Sequence, residues 1–586
     1  DRPDYLYFRL YKENCDTGEA VNSIASCVGR SVKQFTFAGT KDKRASTVQQ
    51  ICAHRLPADQ LRRTVLHRLW DKRVRISDLE YRSDRLRLGN LRGNRFKVVL
   101  RDVPVPIAVA AAAGGAPGSA EAKDVLGQAF DTVKETGFLN YFGLQRFGTR
   151  EIRTHTVGSA IISSRWKEAV HLILGDAGKS GASASTSAKR PAEDAAEIAA
   201  EAAGQVAKVA RTASAKDESI DMPPVTKDES ESGSSLAGAA EEKMVETQKE
   251  DASLPDAVSK GDKGKGGGKG GGKREAVQAA QRLFIETGNA QQALDLMPRS
   301  GAHLERCILG ALARGLAPAE ALQQLPHQAV SLYAHAAQSL VWNAVLSQRI
   351  QQFGRQPVVG DLVFADKASG DSANAESADA FEAGEDAGGE DAESEDDGDS
   401  FRGLPSVRVL ASPEEVAAAK FCDVVLPMPG SEVQYPENMK KAYEEIAEKL
   451  MGLRLADFEN STLVPLTGSY RAICVYPGDL TWRAVLPDEL NSKSGPGGGG
   501  LIESDVGRLL RERPPIPDQN SGSEVLVEVP VEGGCSEDTP EVAQKEQEEP
   551  EKAAVVFSCV LPPSAYLTMM LREVMKQSTA SSYLSG

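Results

Sequence analysis

The stretch "FAGTKDKRASTVQQ", Phe37 to Gln50, sets a single carboxylate, Asp42, among Lys41, Lys43 and Arg44. A carboxylate beside several cations keeps a low pKa and remains an anion at neutral pH. Carboxylates are also covalent nucleophiles at sugar carbons. A surface turn residue balanced by its neighbours has the same local pattern. Two further stretches carry groups that could share a site with Asp42. "GNRF", Gly93 to Phe96, offers the Asn94 amide and the Phe96 ring beside a basic residue; read structurally, it is a hairpin turn entering a strand. "NYFGLQRFG", Asn140 to Gly148, combines Tyr141 and two other aromatics with Gln145 and Arg146. Aromatic runs usually make core, but stacking faces mixed with polar groups suit single-stranded or flipped bases.

Other chemistries leave no trace. There is no GxGxxG fingerprint and no H-E-x-x-H, and the 7 histidines are scattered. The tract "KGKGGGKGGGKR" lacks the [ST] that a phosphate loop places after its lysine. The expected chemistry therefore rests on carboxylate, base and aromatic groups, with no metal and no cofactor.

The elements that must position these residues can be read from periodicity. "YLYFRLYK" alternates as a strand, Ala20 to Gly29 reads as a short helix, and Ala58 to Trp70 as another. "RLRLGNLRGNRFKVVLRDV" reads as strand, Gly/Asn turn, strand. A helix over Ala122 to Gly137 ends at its glycine. Composition then turns to Ala, Ser, Gly and Lys over Asp176 to Arg274, with part of Ala192 to Ala210 able to form helix. Helical spacing returns over Ala276 to Phe353, an acidic tract follows, and order resumes around "FCDVVLPMPG". A Gly/Pro/Glu-rich spacer covers Asn491 to Lys552, and "AAVVFSCVLPPSAYLTMMLREVMKQ" reads as strand, turn, helix. Ordered segments at both ends of the chain point to one domain interrupted by a second.

The formal net charge of −16 argues against a nucleic-acid partner, but its distribution reverses that impression. Asp1 to Val103 holds 22 Lys+Arg against 12 Asp+Glu, an excess that suits a polyanion, and the acidity lies in spacers such as Asp371 to Ser400. Eight cysteines (Cys15, Cys27, Cys52, Cys307, Cys422, Cys474, Cys535, Cys559) are far apart, which reads as reduced structural thiols rather than a disulfide framework. No stretch reaches the roughly 18 consecutive apolar residues of a membrane span. The chain opens "DRPDYLYFRLYK", without Met and inside a strand-like alternation, so natural residues are expected upstream.

"AGTKDKRASTVQQ", "GNRF", "GFLNYFGLQRFG" and "LPPSAYLTMMLRE" stand in an order and approximate spacing that resemble the TruD family of pseudouridine synthases. "LYAHAAQSLVWN", "LPMPGSE" and "GSYRAICVYPGDLTW" resemble it as well, and the eukaryotic-type branch most. The resemblance covers nearly all the ordered sequence. It implies an α+β fold: a catalytic core around a mixed, largely antiparallel sheet, interrupted by an α/β insertion domain and long disordered inserts. Residues 1–166 and 467–586 would form the catalytic domain, the latter with a disordered spacer at 491–552. Residues 176–274 would be a disordered insert, and 276–466 the insertion domain with a disordered acidic tract at 367–403.

In this resemblance Asp42 matches the catalytic Asp, Asn94 and Phe96 the active-site amide and aromatic, and Tyr566 the second aromatic. Lys41 and Arg44 would support Asp42 or contact phosphates. Asn140, Tyr141, Gln145, Arg146 and Arg471 would shape the pocket or touch RNA. A Lys usual near the family's N-terminus falls before Asp1. The implied activity isomerises uridines in RNA, foremost tRNA, by a monomeric nuclear enzyme, with cytoplasm or an organelle as alternative addresses. The rival readings are an RNA-binding or chaperone protein that keeps the fold with little catalysis, and a scaffold acting through its low-complexity tracts.

Overall fold

Alternation along "YLYFRLYK" builds β1 (Tyr5–Glu13), on which Leu6, Phe8, Leu10 and Lys12 share one fully buried face. The computed structural model describes residues 2–69, 73–104, 125–148, 152–175, 271–365, 404–487, 501–502, 504 and 552–576. Strand β1 lies between β3 (Ser46–His54) and β4 (Val74–Arg82), antiparallel to both, and β2 (Phe35–Phe37) joins the far side of β3. Helix α1 (Thr17–Val28) starts where the Asp16 side chain accepts the Gly18 N–H, and it ends at Gly29 in the left-handed conformation. Its apolar stripe and that of α2 (Ala58–Arg68) cover the Leu6, Phe8, Leu10 face.

The second sheet joins distant parts of the chain. Strand β5 (Asn94–Pro104) pairs with β13 (Lys552–Leu561), and β13 with β12 (Gly478–Val485), all antiparallel. Helices α3 (Val125–Thr136) and α12 (Leu567–Met575) supply Phe130, Val133, Met569 and Met570 to its core. The hairpin expected over "RLRLGNLRGNRF" is corrected here. Residues 85–93 are irregular, and β4 and β5 belong to different sheets. Local alternation favoured a neighbour, but the apolar surface of β13 gives β5 a better-buried partner.

The third body is mostly helical. It contains α4 (Thr154–Ile162), α5 (Trp166–Leu174), α6 (Gly271–Thr287), α7 (Ala290–Leu296), α8 (His303–Ala313), α9 (Pro318–Gln323), α10 (His327–Phe353) and α11 (Lys440–Met451). Helix α10 is buried on almost every side, so it forms the axis of this core. Gly158 of α4 presses on the Tyr333 carbonyl of α10, leaving no room for a Cβ. A small antiparallel sheet, in the order β10 (Ser469–Ala472), β9 (Val424–Met428), β7 (Leu362–Phe364), β8 (Val407–Val409), packs beside it. A two-residue ladder between β6 (Phe138–Leu139) and β11 (Cys474–Val475) ties this body to the second sheet.

Four details differ from expectation. Helix α5 runs past Trp166, and α6 begins at Gly271, inside the Gly/Lys tract. Leu501 and Ile502, in the expected spacer, pack against Val485, Ala554 and Val556. Cys422 and Cys474 form a disulfide rather than standing as separate thiols, because the turn before β9 lies against β11. The rest of the low-complexity segments, including Ala192 to Ala210 and the acidic tract, lies outside the described residues.

Candidate active site

The loop from Ala38 to Ala45 connects β2 to β3 and carries Asp42 at its tip, with the carboxylate exposed. Its backbone is held from below by side chains of three elements. Lys12 Nζ donates to the carbonyls of Cys15 (2.8 Å), Lys41 (3.1 Å) and Asp42 (2.8 Å). The Lys41 N–H donates to Thr17 Oγ1 (3.1 Å), which in turn donates to Gln49 Oε1 (3.0 Å). Gln49 Nε2 donates to the Gly39 carbonyl (3.0 Å). The Asn14 N–H reaches the Ala45 carbonyl, and the Gly89 N–H reaches that of Ala38.

Two ammonium groups flank the carboxylate. Burial pushes Lys12 below the usual lysine range, with Cys15, Asp16 and Asp42 acting against that shift. Burial lowers Lys41 too, and Asp42 again opposes it. Lys43 points elsewhere, to Glu19 at 3.6 Å, and Arg44 is exposed. Of the basic cluster legible in sequence, then, only Lys41 shares its charge with Asp42; the second partner is Lys12, thirty residues earlier.

The route from this loop to the aromatic residues is short. Leu91 comes within 4.0 Å of the position a Cβ would take on Gly39, and three residues later β5 opens with Asn94. Asn94 is in register with Leu561, and Phe96 with Cys559. Leu561 leads through a turn to Tyr566 at the start of α12. Phe96 and Tyr566 both border the core of the second sheet. Gly93 has no space for a side chain, since a Cβ there would sit 2.5 Å from the Leu561 carbonyl oxygen. Among the described residues, Asp42 makes no hydrogen bond or ion pair with Asn94, Phe96 or Tyr566.

Behind Tyr566, the buried Arg471 holds the NYFG segment and the Tyr566 turn together. Its Nε donates to the Asn140 carbonyl (2.9 Å), and its Nη2 to Asn140 Oδ1 (2.8 Å) and the Ser564 carbonyl (2.8 Å). The guanidinium lies 4.0 Å from the centre of the Phe142 ring. Phe142 meets the Tyr566 ring edge-on at 6.1 Å, and a Cβ on Gly143 would strike Tyr566. Asn343 of α10 closes both backbone groups of Phe142. Burial pushes the Tyr141 phenol up to about 12, so it stays protonated and shares a 3.0 Å hydrogen bond with Ser347. Gln145 is exposed beside this cluster, and Arg146 lies 5.9 Å from the Phe142 ring.

The structure thus brings Tyr141, Arg146 and Tyr566, all half-buried, around the buried Asn140 and Arg471, and places Asn94 and Phe96 on the strand next to them. Asp42, Lys41 and Arg44 stand on a separate, adjoining loop. Sequence reading missed Lys12, Thr17 and Gln49. A signal for Lys12 exists: it falls in phase with Leu6, Phe8 and Leu10, and a lysine on the core face of a strand is rarely incidental.

The fold is α+β, with a carboxylate on a braced loop and, on the adjoining strand and turn, an amide and two aromatic faces. The model of the tRNA pseudouridine synthase D (TruD) family matches residues 1–212 and 267–392, more than half of the chain, and the chain belongs to that family. It is similar to the multisubstrate pseudouridine synthase 7 of Schizosaccharomyces pombe, 28% identical over 590 residues, covering 99% of this chain and 63% of that protein. It is similar also to the pseudouridylate synthase 7 homolog of Homo sapiens, 25% identical over 592 residues, covering 99% of this chain and 60% of that protein. The chain thus spans about three-fifths of the length of these curated relatives.

Proposed function

We propose that this chain is an RNA pseudouridine synthase with Asp42 as its catalytic carboxylate. The observation that carries the reading is the exposed Asp42 side chain on a braced backbone, with the buried Lys12 ammonium beneath that backbone and the half-buried Lys41 next in sequence, in a member of the TruD family. A uridine enters the site by leaving its stack, at a cost of a few kcal/mol. Phe96 and Tyr566 return part of that cost as apolar faces, and Asn94 supplies hydrogen bonds to the base edge. Asp42 initiates breakage of the C1′–N1 bond, by attack at C1′ or by assisting elimination. The uracil turns and bonds to C1′ through C5; the C5 hydrogen leaves to solvent as a proton, and N1 gains one. Isomerisation consumes no other reactant.

The excess of positive charge before Val103 supports a polyanionic substrate, and tRNA is the first RNA to test. The multisubstrate relative extends the reading to other RNAs. A monomer in the nucleus completes the proposal, with the cytoplasm or an organelle as the alternative address.

The test is tritium release from RNA carrying [5-³H]uridine, because the new bond expels the C5 hydrogen. We expect release by this chain and none above background by Asp42→Asn, with RNA binding retained. Equal release by both would remove Asp42 from the chemistry. Binding without release by either would leave an RNA-binding protein.

A further inference from the structure

We propose that Lys12, Thr17 and Gln49 form a clamp that positions Asp42 for reaction, acting on the loop backbone and not on the substrate. The inference rests on the synthase reading for what Asp42 does, but the clamp itself is a geometric claim with its own measurement.

The three residues come from the end of β1, the first turn of α1 and the middle of β3, and they converge on three loop residues, Gly39, Lys41 and Asp42. Between them they fix the Gly39 carbonyl, the Lys41 N–H and the Lys41 and Asp42 carbonyls. Residue 42 therefore keeps freedom only in its own side chain. All three side chains are buried, Lys12 and Thr17 completely.

Stability alone does not account for Lys12. It occupies the position in phase with Leu6, Phe8 and Leu10, where an apolar residue would bury without desolvating a charge. Among the described residues no carboxylate is hydrogen-bonded to its ammonium; each of its three donors goes to a main-chain carbonyl. Two of those carbonyls belong to the Asp42 loop and the third to Cys15, just before α1. The cation thus pins the loop to the helix start from beneath Asp42. Thr17 uses its one hydroxyl in both senses, accepting from Lys41 and donating to Gln49, so valine at that position keeps the shape and loses both bonds.

The experiment compares full-length parent, Lys12→Met, Thr17→Val and Thr17→Ser in three readouts. These are single-turnover tritium release, RNA affinity, and amide hydrogen exchange over residues 38–45. We expect Lys12→Met and Thr17→Val to lower the rate constant about 100-fold, as a displacement near 1 Å at a reacting group does. RNA affinity should stay within threefold, Lys41 amide protection should be lost, and Thr17→Ser should restore both rate and protection.

If Lys12→Met does not fold, the Thr17 pair carries the test. Parent-like rates in folded Thr17→Val, or a loss confined to RNA affinity, would overturn the positioning role. Unchanged Lys41 protection in Thr17→Val would overturn the clamp whatever the activity. A parent that releases no tritium but loses Lys41 protection on Thr17→Val would count against the synthase reading and leave the clamp standing.

Discussion

Lys12 and Arg349 are both cations with no exposed surface, yet their surroundings differ in kind. Arg349, near the end of α10, makes a two-point pair with Asp361 (2.6 and 3.3 Å) and donates two further hydrogen bonds to the Gly354 and Gln356 carbonyls. Asp361 is as buried as its partner and also accepts the Val358 N–H. That charge is cancelled where it stands. Among the described residues Lys12 has only carbonyl dipoles for hydrogen-bond partners, and the carboxylates that act on its charge, Asp16 and then Asp42, both face solvent. In the helical body the charge is neutralised as part of the architecture. In the first sheet it is spent on the backbone of a loop whose own carboxylate stays exposed.

The sharpest way to break this contrast is to remove each cation in turn. Arg349→Met strands the Asp361 carboxylate in the core and should destabilise the fold by about 3–5 kcal/mol, read as a lower urea midpoint. Replacing Asp361 with Leu in the same chain should recover most of the loss, because the stranded charge goes with it. Lys12→Met orphans carbonyls rather than a carboxylate, and its stability loss should be smaller, about 1–3 kcal/mol. A larger stability loss for Lys12 than for Arg349 would make Lys12 another architectural cation and dissolve the distinction.

The two regions also differ in how far the sequence discloses them. Strand β1, helices α1 and α2 and the β13–turn–α12 ending are legible from local periodicity and caps, since each buries a face against a nearby element. The partner of β5 is not: nothing in "GNRFKVVL" names a strand more than 450 residues later, and the local turn residues favour a hairpin instead. The same limit hides the junction at Tyr566. Asn140 and Arg471 are 331 positions apart, and only folding shows that one guanidinium serves the NYFG segment and the Tyr566 turn together. Asp42, Asn94, Phe96 and Tyr566 are visible as motif residues, but the bracing of Asp42 depends on β1 passing beneath a loop from another hairpin. Charge adjacency in the sequence pointed to Lys43 and Arg44; three-dimensional adjacency selects Lys12.

Acid sharpens the comparison from the helical side. His155 of α4 is buried, packs edge-on to Phe147 at 5.7 Å and, among the described residues, leaves Nδ1 without a hydrogen-bond partner. Burial, helped by Arg153, pulls its pKa from 6.5 down to about 4. The unfolded chain therefore takes up this proton near pH 6.5, whereas the folded chain resists it until about 4. Stability is full above 6.5 and is lost as the pH falls toward 4. Between pH 7 and pH 5 the loss from this group should be about 2 kcal/mol. Urea titrations at the two pH values should show it in the parent and not in His155→Leu. An equal slope in both proteins would mean that the imidazole is solvated and titrates freely.

The smallest effect is expected at Lys43, and it discriminates between two accounts of Asp42. If the surface cluster kept the carboxylate ionised, removing its exposed members should slow the chemistry. The geometry argues otherwise, since Lys43 leans toward Glu19 at 3.6 Å with both side chains about 60% exposed. A pair so wet is worth about 0–1 kcal/mol and is screened by salt. Lys43→Ala should therefore leave the urea midpoint and the single-turnover rate within error of the parent. Its effect should appear, if Lys43 meets a phosphate, as weaker RNA affinity with the salt slope reduced by about one. A rate loss approaching that of Lys12→Met would instead place the source of the field on the surface. The buried lysine would then be left with the loop backbone alone to hold.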